Sequence, residues 1–240
     1  MKPAKIKASP QFYARIAGLL YLIIILTGMF SEVFVRNKLF VFGDANATAD
    51  NIIRSDFLWR LGIGADLIMQ ICDLPVMIIF YYLFKPVNKG LALLNLSFNL
   101  IQTAVLAANK LNLLAALFFL TDAGYLKYFS PDQLHALAYF SIKLHGYGLG
   151  FGLIFFGFVC LIEGYLIYKS GYFPKVLGIL MAIAGFCYLA NSFASILAPE
   201  LSGFALLFPC IAAELGLTLW LIFRGVNLRI WKERSAVYKL

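Results

Sequence analysis

Long apolar runs alternate with short polar segments along the whole chain, and they predict six membrane-spanning helices. Each run has about twenty or more residues, enough to cross a hydrocarbon core of about 30 Å at about 1.5 Å per residue. No break in composition divides the chain, so we predict one membrane domain over 1–240, with a helical bundle over about 12–226 and basic tails at 1–11 and 227–240. The predicted spans are about 12–34, 57–84, 91–120, 143–168, 174–199 and 203–223.

Two of the connecting segments carry helical signals of their own. In the first loop, Asp44 precedes a short helical stretch and is a candidate N-cap. In the third loop, Pro131 and Asp132 begin an amphipathic stretch that leads into the fourth span. The predicted fold class is therefore all-α, a polytopic six-helix bundle with short interfacial helices in the first and third loops.

Composition agrees with this pattern, because 62% of the residues are hydrophobic and only 13% are charged. Soluble domains are closer to half apolar and about a quarter charged. The net charge of +8 does not indicate nucleic-acid binding, because the basic residues collect in the tails and short loops. With both tails inside, thirteen basic residues lie on the cytoplasmic side and six on the other, which predicts cytoplasmic termini. Membrane lipids are the expected partners, and the basic tail after Arg224 is expected to lie on anionic lipid.

Glycines recur at every second position where the fourth span begins, from Leu144 to Gly152. On a helix, two pairs of glycines, each with a spacing of four residues, leave two adjacent stripes of the helix surface without side chains. A neighbouring helix can then approach closely. We therefore predict helix packing at these glycines: Gly146, Gly148, Gly150 and Gly152.

Polar residues interrupt the apolar runs in the second, third, fourth and sixth spans. Five polar residues of the third span fall within about a quarter of the helix circumference, so this stripe is predicted to face away from lipid. The candidate cavity or binding residues are Asp66, Gln70, Asp73, Asn99, Gln102, Asn109, Lys110, His145 and Glu214.

Depth along the spans predicts which of these residues meet. Asp66 precedes Lys85 by nineteen residues, and Lys110 follows Lys89 by twenty-one, so both lie about 30 Å from the turn that joins their helices. We expect them to form a pair. By the same reasoning Asp73, Gln102 and Glu214 reach similar depths near the midplane, whereas Glu163 is expected near the cytoplasmic interface.

Three classes of function remain open. Asp66, Asp73 and Glu214 outnumber Lys110, which favours an outward-opening polar cavity that binds or moves a small cationic solute or protons. Alternatively, the buried groups hydrogen-bond one another and only lock helix packing, as in a structural or accessory subunit. The third class is an intramembrane hydrolase using His145.

Motifs for enzymatic chemistry are sparse, and we favour a non-enzymatic role. No GxSxG motif occurs, and the two histidines, His135 and His145, cannot supply a three-histidine zinc site. The four cysteines fall inside apolar runs without a CxxC pair, so they indicate neither a disulfide framework nor a metal site. We predict no metal, no cofactor and no catalytic residue, and the sequence carries no sign of the oligomeric state.

Several segments, covering about residues 12–226, resemble a family of bacterial multi-pass membrane proteins, the domain of unknown function 4386. The resemblance implies a location in the bacterial inner (plasma) membrane and no established activity. The segments that carry it are Arg15-Ile-Ala-Gly-Leu-Leu-Tyr21, Arg60-Leu-Gly-Ile-Gly-Ala-Asp66-Leu67, Lys85-Pro-Val-Asn88, Asn109-Lys-Leu-Asn112, Leu144-His-Gly-Tyr-Gly148, Gly171-Tyr-Phe-Pro174, Glu214-Leu215, Leu219-Trp220 and Arg224-Gly225.

Overall fold

The computed structural model of the chain describes residues 9–121 and 124–237, in which eight α-helices and no β-strand are found. The basic residues Lys2, Lys5, Lys7 and Lys239 of the predicted tails lie outside these residues. Short 3-10 turns occupy the loops before α5 and α7. The helices are α1 Pro10–Leu39, α2 Ala45–Arg54, α3 Asp56–Phe84, α4 Lys89–Phe119, α5 Pro131–Ser170, α6 Lys175–Leu197, α7 Phe208–Phe223 and α8 Leu228–Val237.

Six of these helices (α1 and α3 to α7, the last taken with the 3-10 turn before it as Ala205–Phe223) are long and apolar enough to cross a membrane, which confirms the six predicted spans. Their polar and apolar faces are separated as lipid requires. On α3, Asp66 is fully buried whereas the nearby Ile71 is 66% exposed on the outer surface. On α4, the polar residues of the predicted stripe are all buried. The protein is therefore a multi-pass membrane protein with its polar groups turned inward.

The first and last spans meet at one end of the bundle. Gln11 donates a hydrogen bond to the Arg224 carbonyl at 2.7 Å and accepts one from the Val226 amide at 2.9 Å. The same end holds Tyr172, whose hydroxyl donates to the Leu83 carbonyl at 2.6 Å. Burial raises the pKa of Tyr172 above its ordinary value, so this hydroxyl remains a donor. We name this end the tail side and the opposite end, which carries α2, the loop side.

Two apolar clusters close the two ends of the bundle, and the polar residues lie between them. The tail-side cluster takes Phe80 and Leu83 from α3, and the loop-side cluster takes Trp59 from the same helix. Asp66 and Asp73 lie between these positions. The chain thus buries its polar side chains in a middle layer between two apolar clusters.

The loop-side connections differ in part from prediction. Asp44 caps α2 by accepting from the Ala47 amide at 2.8 Å, as expected. The amphipathic stretch of the third loop is not a separate helix, because α5 runs without a break from Pro131 to Ser170. Ser130 and Gln133 form a capping box at its start, and no residue in the following turns breaks the hydrogen-bond ladder.

Glycines set the closest helix contacts, though not all of those predicted. Gly148 and Gly152 of α5 face Asn109 and Leu106 of α4, and an added Cβ would overlap those side chains. Gly146, by contrast, has no atom within 4 Å of that position, so the packing role expected for it is absent. A Cβ added at Gly150 would lie 3.4 Å from the Ser195 hydroxyl oxygen, which is close to an ordinary contact distance.

The tightest backbone approach is between α5 and α6 and was not predicted. A Cβ on Gly164 would lie 2.7 Å from both the Ala182 amide nitrogen and the Gly178 carbonyl oxygen. A Cβ on Gly185 would lie 2.7 Å from the Gly157 carbonyl. These two helices therefore pack at backbone distance because neither carries a side chain at the crossing points.

Candidate functional site

A chain of charged groups crosses four helices near the loop side. The Asp66 carboxylate of α3 lies 2.6 Å from the Arg36 guanidinium of α1 and 3.2 Å from Lys110 Nζ of α4. Arg36 also pairs with Glu32 at 2.7 Å. Lys110 Nζ lies 3.3 Å from His145 Nε2 of α5. We name these five residues the charge cluster; it contains the expected Asp66–Lys110 pair.

Arg36 enters the charge cluster because α1 is longer than predicted. The sequence predicts that the first span ends near residue 34, whereas the helix continues to Leu39 through a π-helical stretch, Phe30–Arg36. A π-helical turn changes the register of the residues that follow it. The sequence feature that could have predicted the longer helix is the i, i+4 spacing of Glu32 and Arg36, since such pairs stabilise helices.

His145 is held by both its ring and its backbone. An ammonium group only donates, so Lys110 donates to His145 Nε2, which places the imidazole proton on Nδ1. Asn109 donates to the His145 carbonyl at 2.9 Å and accepts from Asn112 at 2.9 Å. These contacts join α4 to α5 in the turn before Gly148.

The charge cluster is electrically balanced. Two carboxylates, Glu32 and Asp66, face two cations, Arg36 and Lys110, and His145 accepts a hydrogen bond. The side chain of Asp66 is fully buried, that of Lys110 is 4% exposed, and that of Arg36 is 11% exposed. Every charge in it has an opposite charge within hydrogen-bond distance, as buried ions require.

A second polar site lies deeper in the bundle, around a cavity of about 180 Å³. Helices α1, α3, α4, α5, α6 and α7 all contribute to its walls, which contain three carboxyl groups, three side-chain amides, four aromatic rings and several aliphatic side chains. We name it the carboxyl cavity. It is lined by Tyr21, Ile24, Met69, Gln70, Asp73, Val76, Phe80, Asn99, Gln102, Leu106, Leu149, Leu153, Phe156, Glu163, Tyr188 and Glu214.

The three carboxyl groups of the cavity have different partners. Glu214 accepts hydrogen bonds from two phenols, Tyr21 at 3.1 Å and Tyr188 at a shorter distance. Asp73 accepts a hydrogen bond from the Thr103 hydroxyl of α4. Glu163 is 3% exposed, and no hydrogen bond or ion pair to it is found among the residues that the structure describes.

Two amides in the same walls have unpartnered atoms. Gln70 is 5% exposed and Asn99 is 3% exposed. Gln70 Nε2 and Asn99 Oδ1 make no hydrogen bond within the described part of the chain. Because buried polar atoms are nearly always satisfied, these two atoms are exceptions among the described residues that line the cavity.

Some of the residues that line the carboxyl cavity were predicted from the sequence to be cavity residues, and others were not. Gln70, Asp73, Asn99, Gln102 and Glu214 line it, and similar depths were predicted for three of them, Asp73, Gln102 and Glu214. Glu163 lines it too, so its predicted interfacial position is wrong. Tyr21, Thr103 and Tyr188 were also missed, because single hydroxyls in apolar helices give no distinctive sequence signal.

A third space, of about 400 Å³, lies between the carboxyl cavity and the loop side. Glu32, Arg36 and His145 of the charge cluster form part of its wall, together with Gly146 and Lys143. We name it the vestibule. Leu149 lines both the vestibule and the carboxyl cavity, so the two spaces share a wall residue.

The carboxyl groups are not arranged as a metal centre. Among residues 9–121 and 124–237, no group of three or more histidine, cysteine, aspartate or glutamate side chains is placed to hold a metal ion. His135, the second histidine, lies on the loop side, where its Nδ1 is 2.7 Å from Asn46 Oδ1. The two histidines therefore belong to separate hydrogen-bond networks.

Comparison with known proteins adds a family and one distant relative. The family model described as "Domain of unknown function (DUF4386)" matches residues 16–225. A protein of Archaeoglobus fulgidus named "Uncharacterized protein" is 28% identical over 162 residues, which cover 66% of this chain and 80% of that protein. No solved structure matches.

Proposed function

The chain belongs to the DUF4386 family, and from its geometry we propose that it binds a small cation, either a proton or a cationic solute, in the carboxyl cavity and exchanges it through the vestibule. The observation that carries the proposal is the composition of the cavity wall. Asp73, Glu163 and Glu214 all line it, and no lysine or arginine of the described residues does.

Three carboxyl groups around one enclosed space need positive charge. A buried carboxylate without a counterion is costly, so each must bind a proton or share a cation. Glu214 and Asp73 have hydroxyl donors, but hydroxyls supply no net charge. A cation that enters the cavity would supply it, and protons would replace that cation when it leaves.

The charge cluster supports the alternative, structural role, but only for its own residues. Its two carboxylates are already neutralised by Arg36 and Lys110, so it has no charge left for a ligand. We assign it to helix packing, where it joins α1, α3, α4 and α5. The two polar sites of the bundle thus have different roles in the proposal.

Access is proposed from the loop side. The vestibule reaches Leu149, and an aliphatic side chain that turns away would join the two spaces. At the other end, the tail-side apolar cluster, which includes Phe80 and Leu83, lies between the cavity and the tail side. A cavity open on one side is what a binding protein or one state of an alternating-access carrier requires.

The hydrolase alternative finds less support in the contacts of His145. Its Nε2 accepts from Lys110, and among the described residues its ring has no carboxylate or serine within hydrogen-bond distance. A general base needs its nucleophile, and an orienting group, within about 3 Å. We therefore favour binding over hydrolysis.

We expect cation exchange to depend on the cavity carboxylates. In proteoliposomes that contain a pH-sensitive dye, the full-length chain should exchange external radiolabelled methylammonium or protons. Asp73→Asn and Glu163→Gln should slow that exchange about tenfold or more, because each removes a negative charge from the cavity. Glu200→Gln, at an exposed position on the loop side, is the matched control and should leave the rate unchanged.

Two outcomes would overturn the proposal. One is an equal exchange rate for all four proteins. The other is exchange no faster than in empty liposomes, together with no binding of methylammonium in detergent. If binding is retained and exchange is absent, the chain is a receptor for the cation.

For sidedness, we propose that the tail side faces the cytoplasm and that the membrane is the plasma membrane. The test uses two variants of a chain whose natural cysteines are replaced by alanine: Glu233→Cys in α8 and Phe42→Cys on the loop side. Whole cells that carry either variant are treated with a membrane-impermeant maleimide. Labelling is expected at position 42 alone, because the basic residues concentrate on the tail side. Labelling at position 233 alone would reverse the orientation.

A further inference from the structure

The carboxyl cavity has features that select among cations, beyond its negative charge. Resting on the proposed function, we infer that its ligand is a small organic ammonium ion, held between the Glu214 carboxylate and the aromatic rings around it. The inference begins from the surroundings of Glu214, which is the one cavity carboxylate bonded to two aromatic side chains.

Two aromatic pairs meet at this carboxylate. Tyr21 of α1 packs edge-to-face with Phe80 of α3, at 6.5 Å between ring centroids. Tyr188 of α6 packs edge-to-face with Phe156 of α5, at 5.2 Å. All four residues line the cavity. Aromatic rings attract cations through their π faces, and quaternary ammonium groups are the ligands that such aromatic sites recognise.

Glu214 keeps the capacity to bind such a cation. Each of its oxygens accepts one phenol hydrogen bond, from Tyr21 and Tyr188 respectively. A carboxylate has about four lone-pair sites, so half remain for a ligand. The two phenols therefore orient the carboxylate and leave it able to bind a cation.

The size and polarity of the space favour an organic ion over a metal ion or a bare proton. A cavity of about 150 Å³ accepts a ligand as large as benzene, and this one has about 180 Å³. A metal ion would need about six oxygen ligands, and within the described residues no metal-holding cluster exists. A proton would leave this volume unfilled. An alkylammonium ion fills it, and ordered water beside the ion can pair with the two amide atoms that lack a partner, Gln70 Nε2 and Asn99 Oδ1.

The test is a binding series on the purified full-length chain in detergent, by calorimetry at constant ionic strength. The probes are tetramethylammonium, sodium, potassium and tert-butanol, the last an uncharged molecule of similar shape to the first. Tetramethylammonium is expected to bind at least about tenfold more tightly than any of the others. This comparison needs no variant, so it holds even if cavity substitutions impair folding.

Variants then assign the binding to the rings and the carboxylate. Glu214→Gln and Phe156→Leu should each weaken tetramethylammonium binding about tenfold. Phe158→Leu is the matched control: this ring is on the same helix but stacks with Phe98 and does not line the cavity. Its affinity should equal that of the unaltered chain.

Each contrary result separates the two proposals. If sodium or potassium binds as tightly as tetramethylammonium, and Phe156→Leu does not change the affinity, the inference of an organic ligand is wrong and the proposed cation site stands. Binding of tert-butanol with equal affinity would show that shape alone is recognised and would overturn both. If none of the probes binds while the liposomes still exchange protons, the ammonium inference is wrong and the proposed proton exchange stands.

Discussion

Replacing Asp66 by asparagine is expected to lower the free energy of unfolding by about 3–5 kcal/mol, the largest effect of any single substitution considered for this chain. Asp66 is fully buried and neutralises both Arg36 and Lys110. Without the carboxylate, two cations remain in the low-dielectric interior with only Glu32 to face them. Thermal unfolding in detergent, followed by circular dichroism, measures the loss.

Asp56→Asn is the matched control for this prediction. Asp56 lies at the start of the same helix and pairs with Arg60, but the side chains are 46% and 51% exposed. Exposed pairs contribute at most about 1 kcal/mol. Adding Lys110→Met to Asp66→Asn should recover part of the stability, since Lys110 is the cation left without a carboxylate, whereas Arg36 keeps its pair with Glu32. Equal losses for Asp66→Asn and Asp56→Asn would mean that the charge cluster does not hold the helices together.

Gly164→Ala is expected to destabilise the protein by about 1–3 kcal/mol, although alanine is the better helix former by about 1 kcal/mol. The new Cβ would lie 2.7 Å from two backbone atoms of α6, the Ala182 nitrogen and the Gly178 oxygen. Backbone atoms cannot rotate away as the end of a side chain can, so α5 and α6 must move apart. The same unfolding measurement in detergent reports the change.

Gly146→Ala on the same helix is the control for that substitution. No atom lies within 4 Å of the position of its Cβ, so only the gain in helix propensity remains and stability should rise slightly. If both glycine variants are stabilised, the close approach of α5 to α6 at Gly164 is not a constraint on packing.

Some features of the site followed from simple geometry along single helices. A turn of 100° per residue placed Asn99, Gln102 and Lys110 on one face, and all three are buried. A constant rise per residue brought Asp66 level with Lys110, and the two form an ion pair at 3.2 Å. Both rules hold because helices α3 and α4 are regular and are joined by a short turn.

Other features could not be read from single helices. Arg36 was expected in a loop because the predicted first span ends near Phe34, whereas the π-helical turn continues the helix and turns this arginine towards Asp66. Glu163 was expected at the interface from its distance to the end of its span. It is instead 3% exposed and lines the carboxyl cavity, which six helices enclose together.

What the sequence determined by itself was the membrane class, the number of spans and which faces avoid lipid, because the cost of placing each side chain in hydrocarbon depends on that side chain and its helix alone. The tertiary structure alone decided that Arg36 joins the predicted Asp66–Lys110 pair, and that Glu163 shares with Asp73 and Glu214 a cavity lined by no lysine or arginine of the described residues. Such pairings depend on the rotation, crossing and separation of several helices at once. Those quantities arise from packing between distant segments, and no stretch of the chain contains them.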